Sequence, residues 1–252
     1  MCGRFSLSTP ASEIARLFGA GGAIPDLEPR YNIAPSQGVL VVRTATGGRE
    51  LAIARWGLIP QWAREPDVGV APINARSETA ETKPTFRHAF KKRRCVIPVD
   101  AFYEWRVTEG GKRPMCITPR GKTPFALAGL WERWEPEDEP HGAVESCTIL
   151  TTAANSLMAP IHDRMPVILD KAGIEAWLDA SIEEPARLKA LCRPAPPEAM
   201  KAHEVGRRVN SPRNEGPELM APVGPEEEQG GLFSTTEGGC QRGLFTHPYG
   251  WT

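Results

Sequence analysis

Apolar and polar positions change over in short runs through most of this chain, and helical periodicity is confined to a few places. Val39 to Arg43, Leu51 to Trp56, Cys95 to Trp105, Met115 to Thr118, Phe125 to Trp134, Cys147 to Thr152, Val167 to Leu169 and Val205 to Val209 predict strands, separated by turns rich in glycine and proline. Near the start, Ile14, Leu17 and Phe18 share one helical face. Thr9-Pro10 predicts an N-cap followed by proline at the first helical position, and Gly19 marks the end. Ser77 to Arg94 predicts a helix with a basic end. A further helix starts after Asp170, burying Ile174, Trp177 and Leu178, and a third covers about Pro185 to Leu191. Strands and helices do not alternate over any long stretch. The predicted class is therefore α+β: a curved or barrel-like antiparallel sheet core with peripheral helices. The folded part, residues 1–223, is expected to end near Val223. Residues 224–252 carry too little apolar surface to order themselves and are expected to form a disordered tail.

Composition narrows the function classes. At 252 residues the chain is one large domain or two small ones. A net charge of −1 removes any global basic field, so a polyanion would have to meet a local patch. Neither a signal-peptide apolar region nor a run of transmembrane length is present, which points to the cytoplasm and away from membranes. Six cysteines, at 2, 95, 116, 147, 192 and 240, contain no Cys-x-x-Cys pair. That spacing argues against zinc and against a disulfide scaffold, and suits a reducing compartment.

The cysteine at position 2, in Met1-Cys2-Gly3-Arg4-Phe5, changes the picture. Removal of Met1 would leave an α-amine and a thiol two carbons apart, a pair that can condense with an aldehyde and close a five-membered ring through sulfur. An α-amine titrates near ~7.7–8 and a free thiol near ~8.5, so both are partly deprotonated at neutral pH. A neighbouring base or cation would raise the thiolate fraction. The plainer reading of Cys2 alone is a frayed terminus with an incidental thiol.

Three other segments place unusual polar residues beside strand-like runs: Pro72 to Thr79, Phe102-Tyr103-Glu104-Trp105, and His162-Asp163-Arg164-Met165-Pro166. Glu104 lies among aromatics, where desolvation would raise its pKa and fit it for proton transfer; its alternative is a strand-end ion pair. His162 is either a general acid or a hydrogen-bonded loop residue. Taken together with Cys2, these blocks resemble the SRAP family, the SOS response-associated peptidases. The resemblance runs in order through the opening Met-Cys-Gly-Arg-Phe, RYNIAPSQ at 30–37, WGLIPQWA at 56–63, PINARSET at 72–79, CVIPVDAFYEW at 95–105, IHDRMPVIL at 161–169 and NEGPELMAPV at 214–223.

The resemblance implies a protein that senses abasic sites in single-stranded DNA and crosslinks itself to them through Cys2. It implies a Schiff base between the Cys2 amine and C1′ of the opened sugar, then thiol addition to give a thiazolidine. His162 would assist ring opening, Glu104 would shuttle protons, and Asn74 would orient the nucleophile. Arg4, Arg76 and Arg164 would hold flanking phosphates. Removal of Met1, by self-cleavage or by an aminopeptidase, is the precondition. No cofactor and no metal is implied, and the expected form is a monomer in the cytoplasm, at the nucleoid during repair. Trp56 and Trp62 are candidates for stacking on exposed bases, their alternative being core positions. Arg87 to Arg94 form a local basic patch, whose alternative is a solvated helix end. Class II glutamine amidotransferases also begin Met-Cys-Gly, so an N-terminal-cysteine amidohydrolase is the rival enzyme reading. A binding-only protein with a dead site is the rival outside catalysis.

The tail repeats one pattern. Gln229-Gly230-Gly231-Leu232-Phe233 and Gln241-Arg242-Gly243-Leu244-Phe245 both read Gln-x-x-Leu-Phe, resembling the pentapeptide by which bacterial repair proteins dock on the sliding clamp. Gly121-Lys122-Thr123 is no phosphate-binding loop, because Cys116 stands where that motif needs glycine.

Overall fold

The computed structural model describes residues 2–65, 71–121, 123–136 and 142–224. Its strands are β1 (Phe5–Leu7), β2 (Ala20–Gly21), β3 (Arg30–Ile33), β4 (Gly38–Ala45), β5 (Gly48–Trp56), β6 (Asn74–Arg76), β7 (Arg94–Val99), β8 (Ala101–Thr108), β9 (Gly111–Pro119), β10 (Phe125–Trp134), β11 (Val144–Ala153), β12 (Arg164–Pro166) and β13 (Met200–Glu204). The helices are α1 (Ala11–Phe18), α2 (Ser77–Ala80), α3 (Arg87–Lys92), α4 (Lys171–Leu178) and α5 (Pro185–Leu191). The compact unit spans Met1–Pro222, and Val223–Thr252 form a second unit. No described helix is long and apolar enough to cross a membrane.

Two sheets share the core. The first runs β13-β9-β8-β1-β3. The second runs β12-β11-β10-β7-β4-β5-β2 and curls until β11 pairs with β5, closing a barrel. Nearly all pairings are antiparallel; β11 with β5 and β6, and β2 with β5, are the parallel exceptions. The class is the expected α+β with a barrel-like sheet. Gly129 on β10 is where the wall is tightest: a Cβ there would sit 2.9 Å from Cys95 Sγ and 3.2 Å from the Thr148 carbonyl oxygen.

The run from Cys95 to Trp105 is two strands in two sheets, not one. Asp100 is the corner. Its carboxylate accepts from the backbone N–H groups of Ser8 and Thr9 (2.6 and 2.9 Å) and from both of their hydroxyls (2.8 and 2.6 Å). Thr9 is therefore committed to Asp100 rather than to a helix cap, and α1 begins at Ala11 with Pro10 as its capping residue. Its end is as expected: Gly19 adopts φ 63°, left-handed backbone that glycine tolerates best. Asp170 caps α4 by accepting from Gly173 N–H at 2.7 Å.

The stretch Ser77 to Arg94 folds as two short helices, since Pro84 interrupts the path and the chain turns between them. Its basic residues brace the fold. Lys91 and Lys92 pair with Glu183, and Arg93 pairs with the buried Glu132. Arg94 is buried and donates to the carbonyls of Phe90, Lys91, Trp177 and Asp179. Arg94 is thus withdrawn from any patch, while Arg87, Lys91 and Lys92 stay at the surface. Strand β13 ends at Glu204, and Arg207–Asn210 form a 3-10 turn instead of the predicted strand.

Candidate active site at the N-terminal cysteine

The backbone register brings Cys2 to Glu104. Strand β1 pairs with β8 as Phe5 with Phe102 and Ser6 with Ala101, and Tyr103 N–H donates to the Arg4 carbonyl at 2.9 Å. One step further, Gly3 falls opposite Glu104. Alternation along β8 sorts its side chains. Phe102 packs in the main core, while Ala101, Tyr103 and Trp105 pack with Val205 and Val209 on the other face. Glu104 therefore shares the inner face with Phe102. It is only 3% exposed, and that burial raises its carboxyl pKa, opposed in part by the charge of His162.

Cys2 has no exposed surface. Burial first, and then the charge of Glu104, push its thiol upward, with a hydrogen bond from the Arg4 backbone acting against them. In this state the sulfur is a thiol, and a base is needed to make it a nucleophile. Asn74 opens β6, which lies parallel to β11 with Asn74 opposite Ile149. Its Nδ2 donates to the Cys2 carbonyl at 2.9 Å, and its buried Oδ1 has no hydrogen-bond partner among the described residues.

His162 arrives from a tight turn. Asn155 Oδ1 accepts from the N–H groups of Leu157 and Met158 (3.1 and 2.9 Å), and His162 N–H bonds back to the Met158 carbonyl. The ring is partly exposed, and its Nδ1 lies 3.0 Å from Arg164 N and 2.8 Å from Asp163 Oδ1. Four distant segments thus bring Cys2, Asn74, Glu104 and His162 together: a nucleophile, an orienting amide, a desolvated carboxyl and an imidazole. That set can move protons around an N-terminal nucleophile.

The arginines divide. Arg76 is exposed at the end of β6. Arg164 is closed on Glu78 through a bidentate pair at 2.6 and 2.9 Å and donates to the Thr151 carbonyl at 2.7 Å, so its fork ties β12 to α2 and β11. Arg4 donates from Nη1 to Asn32 Oδ1 at 2.7 Å and to the Val209 carbonyl at 2.8 Å, and its guanidinium lies 5.9 Å from the Trp105 ring. It faces the Tyr103 side of the sheet, not the Glu104 side.

The tryptophans divide as well. Trp56 is a core residue and not a stacking surface: it has no exposed surface, packs 4.9 Å from Phe5 and donates to the Ile73 carbonyl at 2.9 Å, so it cannot stack on a base. Trp62 is 67% exposed, beside a cleft of about 220 Å³ lined by Pro60, Pro84 and His88. The tail residues Gln229, Leu232, Phe233, Gln241, Leu244 and Phe245 lie outside the described residues.

Sequence reasoning missed Asn32. It is fully buried on β3, accepts from Arg4, and donates to the carbonyls of Ser211 and Asn214, both at 2.9 Å. The available signal was its place inside the block RYNIAPSQ at 30–37.

The family model for the SOS response associated peptidases (SRAP) matches residues 1–212. The "Abasic site processing protein YoqW" of Bacillus subtilis is 43% identical over 224 residues, covering 87% of this chain and 99% of that protein. The "Abasic site processing protein HMCES" of Xenopus tropicalis is 33% identical over 241 residues, covering 83% of this chain and 70% of that protein. A crystal structure of a protein from Bacteroides thetaiotaomicron superposes with a TM-score of 0.80 at 28% identity, covering 88% of this chain and all of that one. This chain belongs to the SRAP family.

Proposed function

We propose that this protein processes abasic sites in single-stranded DNA by bonding to them through Cys2. The observation that carries this reading is the convergence of Asn74, Glu104 and His162 on the second residue of the chain. The names of the similar proteins point the same way.

Loss of Met1 exposes the Cys2 amine, by self-cleavage or by an aminopeptidase. The amine adds to C1′ of the open-chain aldehyde, and the adduct loses water to an imine. The thiol then adds across the C=N bond, its proton passes to nitrogen, and a thiazolidine results. The sum is amine, thiol and aldehyde giving one ring and one water. Glu104 is the proton acceptor for a thiol that burial keeps protonated, and its own raised pKa matches it to that exchange. Asn74 holds the Cys2 carbonyl and so fixes the direction of the nucleophile. Arg76 and Trp62 supply an exposed cation and an exposed stacking surface for the strand.

A denaturing gel of Met1-free protein mixed with an abasic single-stranded oligonucleotide tests this. A shifted band that disappears in Cys2→Ala is the expected outcome; no shift in the Met1-free protein refutes it. For the tail, the two Gln-x-x-Leu-Phe segments lead us to propose docking on the bacterial sliding clamp, with avidity if both engage one ring. Clamp pull-down should fail for a Phe233→Ala/Phe245→Ala double variant, and equal retention of both proteins rejects the idea.

A further inference from the structure

One atom of His162 faces two opposed demands. Arg164 N–H points at Nδ1 from 3.0 Å and needs a lone pair there. Asp163 Oδ1, 2.8 Å from the same nitrogen, needs an N–H there. A single imidazole nitrogen satisfies one of these at a time, so the ring has two arrangements. Bonded to the Arg164 amide, the neutral ring carries its proton on Nε2. Bonded to Asp163, it carries a proton on Nδ1, and Nε2 is the nitrogen that gains or releases one.

The surroundings are unequal. The Asp163 side chain is 82% exposed, whereas the ring is 28% exposed, so the carboxylate can leave while the ring stays. The side chain of Arg164 is turned away into Glu78. Among the described residues, the charge of Glu104 on β8 also acts on the ring, with Cys2 beyond it.

We propose that Asp163 is a positioning residue: it draws the His162 proton to Nδ1 and thereby makes Nε2 the nitrogen that exchanges protons with the sugar. The proposal rests on the reading of His162 as the acid in abasic-sugar opening. In that step the C1′–O4′ bond breaks, and its electron pair stays on O4′, which takes the Nε2 proton. The C1′ hydroxyl gives its proton to the Glu104 carboxylate as C1′=O forms. The imidazolium becomes a neutral ring whose Nδ1–H remains on Asp163. When Asp163 swings into solvent, the Arg164 amide captures Nδ1 and the proton is held on Nε2.

The test has two readouts. In full-length protein labelled with ¹⁵N-histidine, with His162→Gln used for assignment, two-bond ¹⁵N–¹H spectra report which ring nitrogen is protonated. In the neutral ring, wild type should show Nδ1–H, and Asp163→Ala should show Nε2–H. Asp163→Asn, which keeps an acceptor, should retain the Nδ1–H form. An unchanged tautomer in Asp163→Ala overturns the proposal. The second readout is the rate of covalent capture of an abasic oligonucleotide, which should fall about threefold in Asp163→Ala, the size of one exposed hydrogen bond, and recover in Asp163→Asn. A tautomer switch in Asp163→Ala with an unmoved rate overturns the catalytic assignment. The same switch beside wild-type protein that forms no adduct at all sinks the abasic-site reading instead, and leaves the tautomer assignment standing.

Discussion

Replacing Asn32 by leucine should loosen the floor beneath Cys2, and its cost can be worked from the hydrogen bonds. Asn32 has no exposed surface, and leucine keeps its approximate volume. The change removes the bond from Arg4 Nη1 at 2.7 Å and those to the Ser211 and Asn214 carbonyls at 2.9 Å. Arg4 keeps the Val209 carbonyl at 2.8 Å, so its guanidinium is not orphaned. Each neutral bond contributes about 1 kcal/mol, and the charged one about 1.5–3 kcal/mol. Apolar burial of the new side chain offsets roughly 1–2 kcal/mol. The net loss is about 1.5–4 kcal/mol. At roughly 2–4 °C per kcal/mol for a unit of this size, Tm should fall by about 3–16 °C. Hydrogen exchange should quicken at 207–214 and at Arg4 before it does elsewhere, because the Asn32 amide holds two carbonyls of this segment, at Ser211 and Asn214. Differential scanning fluorimetry with exchange mass spectrometry measures both. A Tm within about 1 °C of wild type and unchanged exchange over 207–214 would refute the idea that Asn32 fastens the C-terminal segment to the Cys2 strand.

Other outcomes follow from the same geometry. Trp62→Ala should weaken single-strand binding by about 1–3 kcal/mol with Tm unchanged, whereas Trp56→Ala should cost about 3–5 kcal/mol of stability, as titration calorimetry and melts would show. Glu104→Gln should be neutral in stability below the ordinary carboxylate pKa of 4.5 and increasingly stabilising as pH rises through the raised native value, because wild type must then hold a buried charge; a Tm difference that shrinks with pH contradicts this. Glu78→Gln should act oppositely: Arg164 lowers the Glu78 pKa, so its contribution is present above the unfolded value and fades as pH falls through the native one, which melts across acid pH would follow. Gly129→Ala should cost about 1–3 kcal/mol by overpacking against Cys95 and Ile97, measured by urea unfolding.

Much of the fold was legible where local signals suffice. The ten apolar-rich residues Phe125–Trp134 form β10, and the proline that starts α5 and the aspartate that caps α4 act as their residue types predict. The failures come from distant partners. Asp100 breaks the apolar run 95–105 because Ser8 and Thr9, about ninety positions away, fill its carboxylate. Strands β1 and β6, of three residues each, are too short for any periodicity to register, yet they deliver Cys2 and Asn74. The site residues were visible through ordered family blocks rather than through local chemistry. Residue type alone did not separate the exposed Arg76 from Arg4 and Arg164, whose guanidiniums are engaged inside the protein.

Mass spectrometry of the complex between Met1-free protein and an abasic oligonucleotide is the most direct measurement. The account predicts one adduct, equal to the sum of the two masses less one water, with the modified peptide beginning at Cys2. An adduct mapped to a lysine, or formed equally by Cys2→Ala, would contradict it.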